Sequence, residues 1–88
     1  MVEQNVKICN PTGLHLRPAG IFCQEAMKYT SKITFQYGNN NEANAKSVLS
    51  VLGACVKSGD EIVLRCEGED EQEALNALVS LIGKGFEE

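Results

Sequence analysis

An α+β fold, a four-stranded antiparallel sheet with its helices packed on one face, follows from three features of the sequence. Two segments, Ile33/Phe35/Tyr37 and Ile62/Leu64/Cys66, place apolar residues at every second position, which gives a strand one buried and one exposed face. Two longer segments, Ala19/Phe22/Cys23/Ala26 and Ala74/Leu75/Leu78/Val79/Ile82, repeat at helical spacing. The chain has 88 residues, enough for one thin core and no more, so both long helices must share one face of one sheet.

The elements follow in order. Val6 and Ile8 alternate with Asn5 and Lys7, giving a first strand that the turn Pro11-Thr12-Gly13 ends. A helix then runs from His15 or Leu16 to about Lys28, docked by Ala19, Phe22 and Ala26, with Arg17, Gln24, Glu25 and Lys28 outward. The second strand carries Ile33, Phe35 and Tyr37. Gly38-Asn39-Asn40-Asn41 is turn chemistry, because Gly and Asn accept positive φ cheaply, and a short third strand from Glu42 to Ala45 completes a hairpin. Ser47 is an N-cap for the short apolar segment Val48-Leu49-Ser50-Val51-Leu52, one or two helical turns that need tertiary support. The fourth strand spans Asp60 to Glu67, and Gly68 turns the chain away. Asp70 followed by Glu73 has the spacing of a capping box, opening a last helix that frays near Gly83 and Gly85. The order β-α-β-β-α-β-α makes residues 1–88 a single domain, an open-faced β-sandwich of the split β-α-β kind. Many functions share that scaffold, so function must come from the site.

Composition removes several function classes. A net charge of −4 and the lack of a basic stripe oppose direct nucleic-acid binding. No apolar stretch approaches the roughly 20 residues that span a bilayer, and the first residues do not read as a signal peptide, so a cytoplasmic protein without membrane insertion is expected. Cys9, Cys23, Cys55 and Cys66 are widely separated, with no Cys-x-x-Cys pair and no histidine at ligand spacing. Free, buried thiols are expected, with no metal and no cofactor. Nothing in the sequence requires more than a monomer.

The chemistry gathers around the sole histidine, His15, in the run Asn10-Pro11-Thr12-Gly13-Leu14-His15-Leu16-Arg17-Pro18-Ala19. An imidazole offers a free ring nitrogen near neutral pH. Here it sits where a turn enters a helix, a place whose unpaired N–H groups and dipole favour a phosphate. Pro18 is tolerated in that first turn because its missing N–H would have had no partner. Arg17 adds a planar, charged donor.

Three segments in order, Gly13-Leu14-His15-Leu16-Arg17-Pro18-Ala19, Ala45-Lys46-Ser47-Val48-Leu49 and Gly68-Glu69-Asp70-Glu71, resemble HPr, the histidine-containing phosphocarrier family of the bacterial sugar phosphotransferase system. The resemblance covers essentially the whole chain. It implies a stoichiometric carrier, not an enzyme. His15 would accept a phosphoryl group on Nδ1 from phospho-enzyme I and pass it to enzyme IIA proteins, with Arg17 stabilising the phosphate. Ser47, preceded by Lys46, matches the serine that HPr kinase/phosphorylase modifies with ATP, which implies that kinase and a catabolite-control transcription regulator as further partners. Leu16, Gly20, Ile21, Val48, Leu49 and Leu52 fall on the implied docking surface. The loop from Gly38 to Asn44 is one residue longer than in common members, which places the serine at 47. The competing reading is a purely regulatory HPr-like binding protein, controlled through Ser47 and without a sugar-transport role.

Overall fold

A computed structural model describes residues 1–87. Its strands are β1 (Val2–Lys7), β2 (Lys32–Tyr37), β3 (Asn41–Asn44) and β4 (Glu61–Glu67), and its helices are α1 (Leu16–Ala26), α2 (Val48–Gly53) and α3 (Glu71–Gly83), followed by a closing 3-10 turn, Gly85–Glu87. The sheet order is β1-β4-β2-β3, every neighbour antiparallel. This is the expected element order and architecture.

Period-two alternation does the sorting. Phe35 pairs with Leu64 and Ala43, and Ile33 with Cys66, so these five side chains form one buried face. On the other face Arg65 sits opposite Glu3 and Thr34, and its Nε donates to Glu3 Oε2 at 2.7 Å. The helices cover the first face with Ala19, Phe22 and Ala26 from α1 and Ala74, Leu75, Leu78 and Ile82 from α3. Phe22 lies edge-on to Phe35 at 5.9 Å and to Phe86 at 6.0 Å, a favoured arrangement for aromatic rings.

Several boundaries and contacts differ from expectation. β1 begins at Val2, although Glu3, Gln4 and Asn5 are all exposed. An edge strand can show this composition because pairing to β4 holds its backbone. Ile8, fully buried, lies just past the strand, yet its N–H donates to Asp60 at 2.9 Å and its carbonyl accepts from Gly59 at 2.7 Å. α1 stops at Ala26, short of Lys28, and β3 runs from Asn41, one residue early.

The capping box does not form. Asp70 stands at the N-cap of α3 without a cap bond, and its carboxylate reaches instead to the N–H groups of Thr30 and Ser31, each at 2.9 Å, and to the Ser31 hydroxyl. Those donors, the Ser31 hydroxyl first and the Thr30 N–H next, hold the Asp70 carboxyl down at about 2. Glu71, not Glu73, closes the turn by accepting from Gly68 N–H at 3.1 Å, while its other oxygen meets the N-terminal ammonium at 3.1 Å.

Two cysteines also depart from expectation. Cys23 and Cys66 are buried, but Cys9 and Cys55 are exposed, and all four are free. Cys9 follows Ile8 on the outward side of the chain and donates its thiol to the Ile82 carbonyl at 3.3 Å. Cys55 lies beyond α2 at φ 54°, a left-handed position that turns its side chain outward. Burial pushes the Cys66 thiol up to about 11, with Asp70 and Glu71 adding to the effect.

At the far end, the expected fraying gives way to a sharp turn. Gly85 and Phe86 both take positive φ, and Phe86 folds back to 1% exposure.

Candidate functional site

The segment between β1 and α1 is built around Asn10 and Gly13. Asn10 is buried, and its amide Nδ2 donates to the Gly13 carbonyl at 2.8 Å and to Thr12 Oγ1 at 3.2 Å, while Gly13 N–H returns to the Asn10 carbonyl at 3.2 Å. Gly13 has φ 68° and lies so close to the loop after α2 that a Cβ there would stand 2.6 Å from the Val56 carbonyl oxygen. Only glycine meets both conditions. Leu14 follows, buried, and its N–H donates to that same carbonyl at 2.9 Å.

This anchoring delivers His15 to the N-cap of α1 in extended geometry (φ −81°, ψ −174°). Its carbonyl accepts the first intrahelical bond, from Ala19 at 2.8 Å, but its side chain makes no cap bond and is exposed. The imidazole is therefore free for other work. The first-turn amides of Leu16 and Arg17 have no intrahelical acceptor, and Pro18 has no amide to leave unpaired. The first turn carries no acidic residue that would compete with an incoming anion. Arg17 is exposed and, among the described residues, forms no ion pair.

His15 also faces a hollow of about 360 Å³, walled by Leu14, Leu52, Val56 and Cys55 and bordered by Lys57. Sequence reasoning missed Lys57. Its presence depends on the contact between Gly13 and the loop after α2, which no local pattern announces.

Ser47 is the N-cap of α2, as expected: its Oγ accepts from the Ser50 N–H at 3.2 Å, and its carbonyl accepts from Val51 at 3.0 Å. Ser50 Oγ in turn accepts from Asn44 N–H at 2.9 Å, tying α2 to β3. Lys46 is turned away from Ser47 and donates its ammonium to the Tyr29 carbonyl at 2.6 Å. Around these residues Leu16 and Leu49 are strongly exposed, at 66% and 78%, and Val48 is exposed at 36%. Gly20, Ile21 and Leu52 are half-buried. The expected apolar surface thus consists of three open side chains with partly covered neighbours, on two helices that pack together. Among the described residues no helix is long and apolar enough to cross a membrane.

Comparison with known proteins places this geometry in a family. The family model for the PTS HPr component phosphorylation site matches residues 2–84. The HPr-like protein Crh of Halalkalibacterium halodurans is 44% identical over 84 residues, covering 96% of this chain and 99% of the relative. The phosphocarrier protein HPr of Mycoplasma pneumoniae is 36% identical over 84 residues, with 96% of each chain covered. Among solved structures, HPr-C-His from Thermoanaerobacter tengcongensis superposes with a TM-score of 0.95 at 43% identity, covering 100% of this chain and 98% of that one. A dimer of HPr from that organism matches with a TM-score of 0.79, also at 43% identity and with both chains fully covered. Matched from residue 2 to residue 84, and sharing its fold with solved HPr structures, the chain belongs to the HPr family of the phosphotransferase system.

Proposed function

We propose that this chain, acting as one domain, is a stoichiometric phosphoryl carrier: His15 accepts a phosphoryl group from phospho-enzyme I and passes it to enzyme IIA proteins in the cytoplasm. The observation that carries this reading is the exposed imidazole at the N-cap of α1, unused for capping, with Arg17 in the turn that follows. In loading, the bond from phosphorus to the donor breaks as a bond from phosphorus to the His15 ring nitrogen forms; in delivery, that phosphorus–nitrogen bond breaks as a bond from phosphorus to the enzyme IIA acceptor forms. Little covalent chemistry is asked of the protein, so catalysis of the exchange rests on positioning and on stabilising charge. The α1 amides and the Arg17 guanidinium supply that stabilisation. The family resemblance assigns the phosphoryl group to Nδ1.

Leu16, Gly20, Ile21, Val48, Leu49 and Leu52 form the docking surface in this reading, since exposed apolar clusters mark partner sites. Ser47 is the regulatory position. An ATP-dependent HPr kinase/phosphorylase modifies it, and the phosphoserine form engages a catabolite-control regulator. The carrier works as a monomer.

Incubation with phosphoenolpyruvate and enzyme I tests the central claim. The parent should gain one acid-labile phosphate, while His15→Ala should fold and gain none. A variant without His15 that is still labelled would end the proposal. The identity to Crh favours a second reading, a regulatory HPr-like protein controlled through Ser47. That protein would take phosphate from the serine kinase and ATP but none from enzyme I.

A further inference from the structure

We propose that Lys57 is a second cation of the phosphoryl site, reaching the group on His15 from the loop between α2 and β4. The inference rests on the reading of His15 as a phosphoryl carrier.

A phosphoryl group brings close to two negative charges to the ring nitrogen. α1 meets them with two first-turn amides and Arg17, all from one side. Lys57 lines the same hollow of about 360 Å³ as His15, and the other walls are largely apolar, with Leu14, Leu52 and Val56 among them. A charge beside such walls is screened less than one in open water. The origin of the lysine stem is fixed relative to His15. Leu14 N–H bonds the Val56 carbonyl at 2.9 Å, Gly13 packs against the Lys57 backbone, and Lys57 itself exchanges two bonds with Asp60, each at 3.0 Å. The Asp60 carboxylate is thereby engaged with the Lys57 backbone N–H, and among the described residues the ammonium has no ion-pair partner. Its flexible stem leaves three donors free to follow a phosphate. Among the residues that line the hollow, Lys57 alone has a charged side chain besides the His15 imidazole; on the adjoining segments Arg17 and Glu25 lie on α1, and Asp60 and Glu61 at the entry to β4.

The test charges His15 without any partner protein, using phosphoramidate. Its P–N bond breaks as the bond to the ring nitrogen forms, and ammonia leaves. The pH midpoint of the phosphohistidine is then followed by phosphorus NMR at low and high ionic strength. A nearby cation favours the deprotonated, more negative form, so Lys57→Gln should raise the midpoint by about 0.3 to 0.5 unit, a two- to threefold change in proton affinity. High salt should shrink the difference, and Lys57→Arg should keep the parent value. An unchanged midpoint in Lys57→Gln, or the same rise in Lys57→Arg, would overturn the proposal, as would a parent protein whose His15 takes no phosphoryl group from the reagent. With phospho-enzyme I as donor, Lys57→Gln should lower kcat two- to threefold with KM unchanged. A rise in KM alone would assign Lys57 to the partner surface and refute its action on phosphate. A parent that is inert toward enzyme I but shows the NMR shift would refute the relay reading and leave the Lys57 site standing.

Discussion

Arg17 is a cation placed where a helix prefers an anion, and in the unmodified protein it has no ion-pair partner among the described residues. Its position makes sense only with negative charge present. Arg17→Ala should therefore leave the thermal midpoint where it is or raise it, and slow phosphoryl transfer at least about tenfold, roughly 1.4 kcal/mol of barrier. Stopped-flow transfer from phospho-enzyme I and a thermal melt check both halves. Equal transfer rates would reduce Arg17 to a surface charge. Asp70 works on the fold instead of the chemistry. Its carboxyl, held at about 2 in the folded protein by Ser31 and Thr30, stands near 3.9 in an unfolded chain. A depressed folded value contributes stability that is complete above about pH 4 and lost as the pH falls through about 2. Urea unfolding of the parent and Asp70→Asn should show a stability gap at about pH 6 that closes toward about pH 2. A gap of constant size across that range would contradict the assignment.

At the scale of elements, α2 has six residues and cannot persist alone, so its Ser47 cap matters. Ser47→Ala removes the acceptor for Ser50 N–H and should cost about 1 kcal/mol, with His15 transfer unaffected. Ser47→Asp keeps a capping oxygen, so stability should hold. The new charge beside exposed Val48 and Leu49 should raise the KM for enzyme I, with amide shifts confined to residues 45–53. Shifts across the sheet would show remodelling of the fold, contrary to this account. Elements were legible where burial imposes a period. Ile33 and Phe35, or Ile62, Leu64 and Cys66, must point inward, and no other reading places them. β1 was half hidden because its polar residues Glu3, Gln4 and Asn5 are held by pairing, not by burial. The Asp70–Glu73 capping box failed for a related reason. A carboxylate able to cap its own helix found better donors 39 and 40 residues away.

Across the whole molecule, local patterns lose their hold wherever distant segments meet. Phe86 is a lone aromatic among glycines and polar residues, and only the left-handed turn at residues 85 and 86 brings its ring onto Phe22. Within the candidate site, His15, Arg17 and Ser47 could be read because each sits in a short motif. Lys57 could not, since it comes to line the same hollow as His15 only through the contact of Gly13 and Leu14 with Val56, residues more than 40 apart in sequence.

That contact also supplies a clock. The Leu14 amide, bonded to Val56, exchanges its hydrogen with solvent only when the two loops part. Its exchange rate in heavy water therefore counts how often the walls of the hollow come apart. If the loops move as one piece with the sheet, Leu14 exchanges as slowly as the amides of β4, and separation requires global unfolding. Gly13→Ala, forcing a methyl toward the Val56 carbonyl, should speed Leu14 exchange well beyond that of β4. The seat of the histidine would then open and close on its own, while the rest of the molecule stayed shut.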